Sequence, residues 1–88
     1  MSLNGSVVTV GTSATALATG KVGASWVYLH APTGGNTIFI GASTVTAANG
    51  LELPKGELHE FWLAEGDVIY GIVASATQAL MVMQSGGR

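Results

Sequence analysis

Short β-branched and aromatic runs bounded by turn residues recur along this chain with little helical periodicity between them, which is the pattern of strands and not of helices. Ser6 to Val10 (SVVTV) is mostly β-branched and stops at Gly11. Ala24 to Ala31 (ASWVYLHA) sets Trp26, Tyr28 and His30 on one face and Val27 and Leu29 on the other, and Pro32 ends it. Thr33-Gly34-Gly35-Asn36 supplies residues that tolerate positive φ, and Thr37 to Gly41 (TIFIG) follows, so Ala24 to Gly41 is expected to form a hairpin. Glu57 to Leu63, Asp67 to Ala74 and Gln78 to Gln84 read as three more strands, the last with Met81 and Met83 at period two. Thr12 to Ala18 fits either a short strand or a loose edge segment. Between these runs, Asn49-Gly50 reads as a positive-φ turn and Leu53-Pro54-Lys55-Gly56 as a type I turn. Gly66, in Ala64-Glu65-Gly66, is placed for a bulged hairpin.

Turn signals recurring about every ten residues predict an all-β fold. The expectation is a small antiparallel β-sandwich or a partly closed, jelly-roll-like barrel of about seven or eight short strands. One domain is expected over 1–84, with a flexible tail at 85–88.

An antiparallel sandwich should have one dry and one wet face on each strand. Three strands break that rule. Val68, Tyr70 and Ile72 oppose Ile69 and Val73; Leu80 and Val82 oppose Met81 and Met83; Phe61 and Leu63 oppose Leu58 and Trp62. A single thin core, about 10 Å across, cannot enclose both faces of all three. Soluble monomers seldom leave more than a few hundred Å² of contiguous apolar surface exposed. The pattern therefore predicts a homo-oligomer or a subunit of a larger shell. Its candidate interface residues are Trp26, Tyr28, Leu58, Trp62, Ile69, Met81 and Met83.

Composition supports that expectation. The chain has 88 residues, which makes it only marginally self-sufficient, and the usual supports of small domains are disulfides, a metal or a partner. With no cysteine and only two histidines, a partner is the support left. Charged residues are 9% of the chain and the net charge is −2, without the basic patch that nucleic-acid binding requires. Met1 to Gly5 carries neither a basic nor an apolar run of the secretory kind. Val68 to Gly87 is uncharged and long enough to cross a bilayer, but Ser75, Thr77 and Gln78 in its middle favour two strands and a turn.

Catalytic and metal-binding patterns fail one by one. His59-Glu60 begins like HExxH, but Leu63 occupies the second histidine position and the segment reads as strand. Glu57 and His59 share a face and read as a surface ion pair. Tyr28 and His30 share another, where His30 reads as a partly buried imidazole. Ser43 lacks the second glycine of a nucleophile elbow. Gly34-Gly35 lacks the following helix of a phosphate loop. Glu65 and Asp67 lack a third oxygen ligand for calcium. No catalytic, cofactor or metal residues are assigned. Trp26, Tyr28 and Trp62 also read as an aromatic platform for sugars, with core or interface packing the favoured reading.

The runs Thr37-Ile38-Phe39-Ile40-Gly41, Val45-Thr46-Ala47-Ala48-Asn49-Gly50, Leu53-Pro54-Lys55-Gly56-Glu57 and Gly66 to Tyr70 together resemble a pattern of small structural proteins of tailed bacteriophages. The resemblance covers about half of the chain and rests on turn signatures. It implies the head decoration, or cement, proteins, which dock on an assembled capsid and hold neighbouring capsomers together. The implied partners are further copies of the chain and a major capsid protein lattice, within a virion assembled in the host cytoplasm. No catalytic residues or cofactors carry over. A tail or baseplate subunit would share these properties, and a small sugar- or partner-binding β module is the rival class.

Overall fold

The computed structural model describes residues 3–20 and 25–86. Eight strands follow one another without a helix among the described residues: β1 (Leu3–Val10), β2 (Thr15–Thr19), β3 (Ser25–His30), β4 (Ile38–Gly41), β5 (Leu51–Leu53), β6 (Leu58–Leu63), β7 (Val68–Val73) and β8 (Gln78–Gly86). They form two antiparallel four-stranded sheets, ordered β1-β8-β3-β6 (sheet A) and β2-β7-β4-β5 (sheet B). The two sheets are not closed into a barrel.

This order has a simple origin. The pairs β1–β8, β2–β7, β3–β6 and β4–β5 are the rungs of one long ribbon folded back at the β4–β5 turn. Rolling that ribbon brings β8 beside β3 and β7 beside β4, which completes both sheets. The result is an eight-stranded jelly roll.

Pairing is therefore mostly non-local, and this overturns the expected hairpin at Ala24–Gly41. β3 lies in sheet A and β4 in sheet B, so residues 31–37 turn a corner between sheets. Local turn chemistry marks where the chain reverses but not which sheet the next strand joins. Gly35 does take positive φ, 96°. The corner is held from the far side: Asn36 N–H donates to Gln78 Oε1 at 2.7 Å, and Asn36 Nδ2 donates to the carbonyls of Ser75 (2.9 Å) and Thr77 (3.4 Å). The bulged hairpin expected at Ala64-Glu65-Gly66 is likewise a corner, from β6 in sheet A to β7 in sheet B. Gly66 (φ 86°) shapes it, and Gly66 N–H donates to the Gly20 carbonyl at 3.0 Å.

Two other turns differ from expectation. The type I turn at Leu53–Gly56 is displaced by one residue: Glu57 N–H donates to the Pro54 carbonyl, and Gly56 takes φ 81° at the third position. Positive φ there is a type II feature. Asn49 and Gly50 do not take positive φ. Instead Thr46 N–H donates to Asn49 Oδ1 at 2.8 Å, and Gly50 N–H donates to the Thr46 carbonyl at 2.9 Å. Glycine is needed at 50 for space, since a Cβ would lie 2.6 Å from Phe39 Cβ and 2.9 Å from Val45 Cγ2.

The molecule is 16 Å across its shortest axis, enough for two sheets and one apolar layer. Val27, Leu29 and Leu80 from sheet A meet Ile38, Leu53 and Val73 from sheet B, all fully buried. Ile69 is also in this core. The segment expected to be either strand or edge is β2, which has a register irregularity between Ala16 and Ala18. Short β5 carries no strand expectation from its sequence. β8 extends through Gly86, and Ser85 is buried, so the expected tail loses those two residues to the strand. Residues 87–88, and Ala24 of the expected third strand, lie outside the described residues.

Candidate interaction surface

The two sheets treat their outer faces differently. On sheet B, Phe39, Tyr70 and Ile72 point away from the core, yet Ile72 is only 8% exposed. Residues 42–50, between β4 and β5, fold back over this face. A Cβ on Gly41 would meet Val45 Cγ2 at 2.8 Å, and Val45 is buried while standing outside the central core. This loop lets sheet B cover its own outer apolar residues.

Among the described residues, sheet A has no such cover. Strand register sets its outward side chains in rows. One row runs Val7, Met81, His30, Leu58; the next runs Gly5, Met83, Tyr28, Glu60; a third carries Ser85, Trp26 and Trp62. Val7 (67%), Leu58 (62%), Trp62 (58%), Trp26, Met83 and Met81 are all substantially exposed. Leu51, at the β5 rim, is the other exposed large apolar side chain among the described residues. These six thus share one sheet face, where strand spacing brings cross-strand neighbours into contact range.

The face is concave. Val7, Met81, Met83, Tyr28, His30 and Leu58 line a shallow trough of about 820 Å³. Its walls are almost wholly apolar, with Tyr28 and His30 half-buried on its floor. Trp26 and Trp62 are directly opposed across β3 and β6 beside it. Ser85 fills the same row, and its hydroxyl donates to the Trp26 carbonyl at 3.5 Å.

Of the seven residues predicted for an interface, six lie on this outer face: Trp26, Tyr28, Leu58, Trp62, Met81 and Met83. Ile69 does not. It faces the other way on β7 and is core, because positions 69, 71 and 73 form the inner side of that strand. Alternation showed that both sides of β7 were apolar without showing which one faces sheet A. Val7 is the residue missed by the sequence reading. It stood in a strand with mild alternation, and only the pairing of β1 with β8 puts it beside Met81.

The remaining polar residues form small surface contacts. His59 Nε2 and Glu57 Oε1 lie 3.5 Å apart at the rim of β6, as a surface ion pair would, and the His59 ring stacks on Phe61 at 6.4 Å. Among the described residues, no three His, Cys, Asp or Glu side chains gather as a metal site. Val68–Gly87, long enough to span a bilayer, is β7, a turn and β8 over its described length. No helix of the described residues is long and apolar enough to cross a membrane. No family model matches the chain, and no curated protein or solved structure matches it significantly.

Proposed function

We propose that this chain is a structural subunit of a virion shell, a decoration or cement protein. It associates with itself and docks on a capsid protein lattice through the outer face of sheet A. The observation that carries this reading is the set of six exposed large apolar side chains on one sheet face, in a chain that covers the equivalent face of its other sheet. Burying a Leu, Met or aromatic side chain fully contributes about 1.5–3 kcal/mol, so covering the remaining surface of several gives a standing interface. The jelly roll is an architecture used by capsid proteins, which supports the reading by analogy only. The turn pattern points the same way, and a low charge content suits a protein seated in an assembly. The role is mechanical and draws on no cofactor. A tail or baseplate position would use the same surface.

Sedimentation of the purified protein with empty tailed-phage capsids tests this. Co-sedimentation that is lost in the double variant Leu58→Gln/Trp62→Gln is the expected result. Failure of the unaltered protein to sediment with capsids counts against the head role.

One observation favours a second reading. Trp26 and Trp62 sit side by side and exposed, as sugar-stacking platforms do. Saturable change in tryptophan fluorescence on titration with oligosaccharides would promote a carbohydrate-binding module over the shell subunit.

A further inference from the structure

Each sheet ends in two edge strands, which present unpaired backbone N–H and C=O groups and must be guarded against pairing with other chains. Three of the four edges here carry a recognised guard. β2 is irregular in register between Ala16 and Ala18. β5 has only three residues and includes Glu52. β6 carries His59 and Glu60. β1 carries none. It is eight residues long, has no charged residue and no proline, and pairs with β8 in unbroken register from Leu3↔Ser85 to Val10↔Gln78. Every second residue of such a strand turns its N–H and C=O away from its neighbour, which leaves about four donor–acceptor pairs along the edge.

We propose that β1 is the self-association edge: two copies of this chain pair β1 to β1, antiparallel about a two-fold axis, and fuse their A sheets into one eight-stranded sheet. An identical strand meets itself in this way without any other complementary surface, as an isologous contact requires. Area argues for the same occupant. With strands about 4.8 Å apart and like-facing residues about 6.8 Å apart, one outer face of sheet A measures roughly 20 Å by 20 Å. Its projected area is on the order of 400 Å², about half of what one partner contributes to a stable interface. Pairing at β1 places the Val7 and Met81 ends of the two faces side by side and doubles the continuous apolar surface. The dimer then offers a face of adequate size to a third protein. This inference rests on the assembly reading above and specifies its first step.

Two lysine variants and an exchange measurement test it. Val7 and Leu58 are similarly exposed on the same face, but Val7 lies on the β1 edge and Leu58 on the β6 edge. Val7→Lys is expected to reduce the solution mass to that of one subunit, while Leu58→Lys keeps the dimer. In the unaltered full chain, amide hydrogen exchange should show alternate β1 amides slowed at least about tenfold at the higher of two concentrations spanning dimerisation. Equal weakening by both variants, with those β1 amides exchanging fast in the associated protein, overturns the edge while leaving the apolar-face reading intact. A single-subunit mass for the unaltered protein at every concentration overturns both.

Discussion

Val45 and Leu58 are both apolar side chains outside the central core, and the fold assigns them opposite roles. Val45 seals the outer face of sheet B and is 5% exposed, whereas Leu58 lies on the open face of sheet A and is 62% exposed. Val45→Ala removes two buried methyl groups at about 0.8 kcal/mol each, and the small cavity left against Gly41 and Gly50 raises the cost to about 2–3 kcal/mol. Leu58→Ala deletes more carbon, but most of it is already in water, so the subunit loses less than about 1 kcal/mol. Urea unfolding at the lowest workable concentration, where subunits are separate, distinguishes the two. With a slope near 1 kcal/mol/M for a domain this small, Val45→Ala should lower the midpoint by about 2–3 M and Leu58→Ala by less than about 1 M. Equal midpoint shifts would refute the reasoning, because they would mean that Leu58 is covered within its own subunit.

Other consequences are sharper locally. Gly50→Ala should destabilise by about 1–3 kcal/mol through overpacking against Phe39 and Val45, whereas Gly11→Ala, with open space around its Cβ position and no positive φ, should be neutral or mildly stabilising in the same urea assay. Asn36→Ala removes the side-chain bonds to the Ser75 and Thr77 carbonyls and should cost about 1 kcal/mol, with faster amide exchange confined to the two corners it joins. Leu58→Gln with Trp62→Gln should leave both subunit stability and dimer mass unchanged while abolishing co-sedimentation with capsids.

Much of this architecture was legible in the sequence because strands leave a period-two trace. The alternation in Ala24–Ala31 and Gln78–Gln84 placed Trp26, Tyr28, Met81 and Met83 on the sides that they occupy. What remained hidden was long-range. Whether β3 pairs with β4 or with β6 depends on residues about thirty positions away, and Gly35 reads the same in a hairpin and in an intersheet corner. The Ile69 assignment failed for that reason, since two apolar sides of β7 look alike until sheet A is laid against one of them. Gly50 is a related case: its type was legible, but the crowding by Phe39 and Val45 that demands it exists only after the loop folds back. The apolar excess itself was readable, and the fold divides it, covering one sheet with a loop and leaving the other open.

In the proposed assembly, the uncovered face and edge of sheet A are the contact surfaces. Light scattering across a concentration series measures this most directly. A mass of at least twice the 8.9 kDa subunit is expected at micromolar concentration. A constant 8.9 kDa throughout the series would contradict it.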